Sequence, residues 1–112
     1  MLELKWSPAE KKIAHAAFES ALSLERTAIR RDIEAMLAGS ADAAEIWTIR
    51  DYLNDKAREL DEKYDFRYSV LIGVFARLLA DGWLTLEDLT GLDATKLELI
   101  CDRSAIWKRS DA

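Results

Sequence analysis

A run of apolar residues at helical spacing extends without a breaker from a capping box at Ser7-Pro8-Ala9-Glu10 to Gly39. No other feature limits the possible folds of this chain so strongly. The Ser7 hydroxyl can accept from the Glu10 N–H while the Glu10 carboxylate reaches back to the Ser7 N–H. Pro8 stands at the first helical position, where its missing N–H has no intrahelical partner to lose. The apolar positions Ala14, Ala17, Phe18, Ala21, Leu22, Ala28, Ile29, Ile33, Met36 and Leu37 then return in steps of three, four and seven, which is one face of a helix. Glu25 and Arg26 interrupt that face at its middle, and Gly39 supplies the stop. The pattern predicts a helix of about 30 residues, roughly 45 Å long.

The rest of the chain reads as helix too. One Pro and four Gly in 112 residues are too few for an all-β domain with many tight turns. Asp42-Ala43-Ala44-Glu45 predicts the next helix start. Ile46, Ile49, Leu53, Ala57, Leu60 and Tyr64 follow in near-heptad spacing, the seam of a helix packed lengthwise on another. Asp65 is the expected cap of a third helix, the most buried, carrying Val70, Leu71, Ile72, Val74, Phe75, Leu78 and Leu79 and ending at Asp81-Gly82. Thr85-Leu86-Glu87-Asp88 predicts a short helix ending near Gly91. Asp93 caps a last one with Leu97, Ile100 and Cys101 on its apolar face, and the tail from Lys108 to Ala112 is expected to fray. With 50% apolar residues, residues 1–112 form a single domain: long helices over 6–64 and a helical head over 65–107. The head is too small to cover both long stripes. The expected fold is therefore all-α, a helical bundle shared by a homodimer, with Ile49, Leu53 and Leu60 in or beside the interface.

Composition removes several function classes. A net charge of −5 argues against a nucleic-acid partner. A single Cys forbids an intrachain disulfide and a cysteine zinc site, and a single His removes most histidine metal and triad chemistry. No apolar stretch is long enough for membrane insertion and no signal-peptide core is present, so a cytoplasmic location is expected. Glu59, Glu62, Asp55 and Asp65 resemble half of a magnesium site, but Glu87, Asp88 and Asp93 are poorly spaced to complete it. Lys56, Arg58 and Lys63 balance the acids along the helix. A solvated charged face is favoured, with no metal, no cofactor and no catalytic residue. His15 with Glu19 and the lone Cys101 read as structural. Trp6 is expected over the first helix start, Trp83 at the close of the third helix, and Trp107 loose near the end. Trp47 keeps two readings open. Beside Arg50, Asp51, Asn54 and Arg58 it has the residue mixture of an interaction hot spot, or it widens the seam against the first helix.

Two blocks carry a family likeness. The first is Trp6-Ser7-Pro8-Ala9-Glu10 with Ala14-His15-Ala16 and Phe18. The second is Ile46-Trp47-Thr48-Ile49-Arg50-Asp51-Tyr52-Leu53, then Asp61-Glu62-Lys63-Tyr64-Asp65-Phe66-Arg67, Ser69-Val70, Val74-Phe75-Ala76, Leu78-Leu79 and Gly82. In this order they resemble the fluorescence recovery proteins of cyanobacteria over about residues 6 to 100. The resemblance implies an all-helical dimer without a cofactor. It also implies binding to the photoactivated orange carotenoid protein, release of that protein from the phycobilisome and return to its orange form, which ends non-photochemical quenching. Trp47 and Asp51 match a Trp and an Asp of the family's interaction patch. Arg50 stands where a His is common, Ala57 where an Arg is common, and Gly73 where the third helix carries an aromatic. Because these changes fall on the partner surface, a second reading stays open: a homodimeric helical adaptor for another protein, in signalling or transcription, in an organism without phycobilisomes.

Overall fold

The computed structural model describes residues 4–39 and 42–110. The capping box at Ser7 is formed in both directions, with Glu10 N donating to Ser7 Oγ and Ser7 N donating to Glu10 Oε1, each at 3.1 Å. It starts α1, Pro8–Ala38, which closes on Gly39. Asp42 leads into the second helix through an acceptor contact to the Ala44 N–H at 2.9 Å, and α2 spans Glu45–Lys63 without a side-chain cap on its own first residue. Next come α3, Leu71–Asp81, a 3-10 turn, Leu86–Leu89, and α4, Ala94–Ser110. The described residues are thus helical with no strand, in the all-α class expected. The molecule measures 53 × 30 × 24 Å.

The core lies at one end. Ala14, Ala17, Phe18 and Ala21 of α1 meet Leu71, Phe75, Ala76 and Leu78 of α3, joined by Leu84, Leu89, Leu92 and Ile100. The small alanines of α1 let the head approach its backbone closely, so the first half of α1 is part of the head's core. Beyond Glu25 the head no longer reaches it. Ala28, Ile29, Ile33 and Met36 are half-buried, while Leu24 and Leu37 are exposed. In this half α1 has α2 beside it, an antiparallel pair tied by Tyr52, whose hydroxyl donates to Asp32 Oδ2 at 2.6 Å.

Gly82 ends α3 in the left-handed region at φ 87°, and the Trp83 N–H donates to the Leu78 carbonyl at 3.0 Å, the 6→1 bond of a Schellman close. Thr85 and Asp88 form the second capping box, but on a single 3-10 turn rather than an α-helix. Asp93 accepts from the Lys96 N–H at 2.9 Å, the capping contact expected at the start of α4. Trp6 is buried over the start of α1, with its ring 5.0 Å from Lys96 Nζ.

Four local expectations are corrected. Asp65 does not cap the third helix: it accepts from Arg67, while residues 64–70 run as a non-helical segment and α3 begins at Leu71. That segment lays Phe66 edge-on against Phe18 and His15, at 4.9 and 5.6 Å between ring centroids, and the aromatic packing outweighs helix propensity. Val70, before the helix, is exposed rather than core. The tail is helical through Ser110, with 111–112 outside the described residues. Trp107 is not loose, since Arg77 stacks 5.0 Å from its ring centre. Cys101 is half-buried.

Candidate functional site

The sequence of α2 allots its residues to two surfaces. Ile49, Tyr52, Lys56, Leu60 and Lys63 recur every three or four positions and are buried or half-buried, whereas Ile46, Trp47, Arg50, Asp51, Leu53, Asn54, Ala57 and Arg58 are exposed. Trp47 does not pack against α1: it is 60% exposed. Arg50 lies 5.2 Å from the centre of its ring and gives two hydrogen bonds to Asp51 Oδ1, from Nε at 3.1 Å and Nη2 at 2.8 Å. Asn54 and Arg58 continue the same stripe by one turn and have no hydrogen bond or ion pair within the described residues. All five candidate residues therefore share one solvent-facing stripe. Exposed ion pairs of this kind contribute about 0–1 kcal/mol to stability. An open indole contributes nothing to the core. The cluster places one aromatic area, one anion and two cations on one exposed face of a helix.

The proposed dimer residues separate. Ile49 is 7% exposed and already buried within the protomer, Leu53 is 41% exposed, and Leu60 is half-buried at the wall of a groove of about 370 Å³ between α1 and α2, with Phe18, Leu22 and Tyr64. Leu24, Leu37 and Ile46 are also open on the two long helices.

A buried ion cluster holds the far end of α2. Lys63 does not pair with the acids of its own helix. Its ammonium lies 2.6 Å from Glu25 Oε1 on α1 and 3.4 Å from Asp81 Oδ2 on α3, with side-chain exposures of 2%, 6% and 26% in that order. The Tyr64 hydroxyl donates to Glu25 at 2.8 Å, and burial, then the Glu25 carboxylate, push that phenol well above its usual range. Tyr52 is pushed up to about 12, by burial first and then by Asp32. One signal for the cluster was visible in the sequence: Glu25 sits in an apolar stripe, where an acid persists only if a cation reaches it. What Glu25 meets is 38 residues away, beyond any local rule.

A second cluster joins the N-terminus to α4. Lys96, 1% exposed, donates to Glu10, to Asp93 and to the Lys5 carbonyl, the last at 2.7 Å. The Ser7 N–H, then the Asp93 N–H and Lys96, hold the Glu10 carboxyl below its usual range against the opposing effect of burial. Burial alone disfavours the Lys96 charge, but the bonds to Asp93 and Glu10 together raise it. Among the described residues no group of three or more His, Cys, Asp or Glu is arranged to hold a metal ion, and no helix is long and apolar enough to cross a membrane.

The sequence model of the photoprotection regulator fluorescence recovery protein matches residues 6–102, nearly the whole chain. The chain belongs to the fluorescence recovery protein family. It is 39% identical over 94 residues to the fluorescence recovery protein of Synechocystis sp., covering 84% of this chain and 86% of that relative. The solved structure of the Fremyella diplosiphon fluorescence recovery protein superposes with a TM-score of 0.84 at 40% identity, over 90% of this chain and 99% of that one. The Synechocystis structure superposes with a TM-score of 0.84 at 37% identity and the same coverage. The family is one of photoprotection regulators, and both blocks that carried the resemblance lie within or across the matched region. The exposed Trp47–Asp51 pair therefore stands on a helix of a fluorescence-recovery-protein fold.

Proposed function

We propose that this protein is a non-enzymatic regulator that works as a homodimer. In this reading it binds the photoactivated orange carotenoid protein through Trp47, Arg50, Asp51, Asn54 and Arg58, speeds its return to the orange form, and so ends phycobilisome quenching. The observation that carries the reading is the joint exposure of Trp47 and Asp51 on one face of α2 in a member of a photoprotection regulator family. Trp47 supplies contact area at small entropic cost, and the charges supply register and encounter steering. Dimerisation is supported by the apolar residues that a lone protomer leaves open on α1 and α2, with Leu53 and Leu60 in the interface and Ile49 beside it. Each such leucine stabilises by about 1.5–3 kcal/mol when it passes from water to a packed interface.

The test is to mix the protein with photoactivated orange carotenoid protein and follow the red-to-orange recovery rate. Wild type accelerates recovery. Asp51→Leu weakens binding about tenfold or more, the scale of a central charged contact, with helicity and dimer mass unchanged. If Asp51→Leu and Arg50→Ala both bind as well as wild type, the patch is wrong. If wild type does not bind, the adaptor reading takes its place.

A further inference from the structure

One guanidinium on α2 touches two groups of the exposed stripe at once. Arg50 stands three residues after Trp47, which puts the two on one side of the helix. Its guanidinium lies 5.2 Å from the centre of the indole ring. Side chains that are neighbours in a helical sequence diverge, so an i,i+1 pair does not meet by default. Arg50 reaches Asp51 all the same, with Nε and Nη2 both donating to Oδ1, at 3.1 and 2.8 Å. The exposed pair Arg30–Glu34 on α1 shows the ordinary case, a single bond from Nε at 3.1 Å.

These contacts leave the recognition groups open. Both bonds fall on Oδ1, so Asp51 Oδ2 has no hydrogen bond within the described residues. Arg50 Nη1 makes none either, and the indole stays exposed. The charges of Arg50 and Asp51 cancel at close range, so the pair attracts little from a distance. Steering falls to Arg58, which has no ion pair within the described residues. What Arg50 adds is order. An exposed tryptophan and an exposed aspartate each sample several rotamers, and docking has to fix them. One side chain in contact with both fixes them beforehand.

We propose that Arg50 is the positioning residue of this surface: acting through Trp47 and Asp51, it holds the indole and the carboxylate in one arrangement before a partner arrives. Stacking on a ring while giving paired hydrogen bonds needs a flat, delocalised cation with its donors in one plane. An ammonium lacks that fork, and an imidazole is too short to span both groups. Position 50, where a His is common in the family, therefore sets how this chain presents its contact surface. The proposal rests on the reading of the α2 stripe as the docking surface for the photoactivated orange carotenoid protein. It goes beyond that reading by assigning Arg50 to orientation rather than to charge.

The experiment compares the full-length wild type with Arg50→Lys, which keeps the charge and loses the planar fork. In the free protein, scalar couplings and nuclear Overhauser contacts report the χ1 and χ2 angles of Trp47. One rotamer is expected in wild type and averaging in Arg50→Lys. Binding of photoactivated orange carotenoid protein to the immobilised protein then separates the two rates. Arg50→Lys is expected to raise the dissociation rate about threefold to tenfold and to leave the association rate in place. The loss is smaller in an Asp51→Leu background, where the guanidinium has no carboxylate to hold. A merely structural role would lower helicity or dimer mass, and neither is expected to change. A rotamer-averaged Trp47 in wild type, a wild-type dissociation rate in Arg50→Lys, or a loss confined to the association rate would each overturn the proposal. If wild type does not bind the carotenoid protein, the partner reading fails, and the rotamers of Trp47 in the free protein decide the positioning role on their own.

Discussion

Replacing Lys63 by methionine removes a buried cation that joins α1, α2 and α3, and the structure sets the scale of the loss. Glu25 is left 6% exposed, 2.8 Å from the Tyr64 hydroxyl and with no ammonium beside it. Asp81, 26% exposed, turns to water and contributes little to the change. Breaking a buried pair from one side costs about 3–5 kcal/mol, because the surviving charge keeps its desolvation penalty without its partner. For a domain near 100 residues each kcal/mol moves Tm by about 4–8 °C, so Lys63→Met lowers Tm by about 12 °C or more. Adding Glu25→Gln removes the stranded charge and still offers Tyr64 an acceptor. The double variant is expected to recover most of the loss, since replacing both partners of a buried pair is near neutral. Thermal unfolding by circular dichroism at one fixed protein concentration measures all four species of the cycle, the fixed concentration being needed if the protein dimerises. A loss below about 1 kcal/mol in Lys63→Met, or a double variant as unstable as the summed single changes, would refute the idea that a desolvated charge is at stake.

Three further outcomes follow from the same physics. Leu53→Glu leaves the protomer intact, because position 53 is 41% exposed, but shifts light scattering from a dimer toward the 12.7 kDa chain mass; wild type already at that mass would end the dimer proposal. Glu10 and Asp93 are both held below their usual values, so their contribution is present above the unfolded pKa values of 4.5 and 3.8 and fades as pH falls through the lower folded ones. Melting temperature should therefore drop on acidification below about pH 4.5, less steeply in Glu10→Gln, and an equal slope in that variant contradicts the assignment. Gly91 has φ 107° and a Cβ there lies 2.5 Å from Ile13 Cδ1. Gly91→Ala should cost about 1–2 kcal/mol from the left-handed backbone alone and more than Gly82→Ala, where the space is open; the reverse order of Tm would show that the Ile13 contact is relieved without cost.

The two capping boxes, the Schellman close at Gly82 and the Asp93 cap were legible because each is an exchange between residues three to five apart, and sequence spacing is then spatial distance. The stripe of exposed residues on α2 was legible for the same reason: 47, 50, 51, 54 and 58 share a face on any helix. Asp65 was misread because the aromatics Phe66 and Tyr68 after it pack on α1, a tertiary gain that no local propensity records. Lys63 was misread because acids stand beside it in sequence, whereas its partner in space is on another helix.

By itself the sequence determined the helical class, the caps at Ser7, Gly82, Thr85 and Asp93, the apolar stripes and the family, since all of these rest on periodicity and on ordered local motifs. The tertiary structure alone decided that the head covers only the first half of α1, that Glu25 finds Lys63 across 38 positions and Glu10 finds Lys96 across 86, and that Trp47 faces solvent. Those outcomes depend on which surfaces meet when helices pack. Packing is chosen by the total apolar area covered and the charges neutralised over the whole chain, and no window of sequence contains that sum.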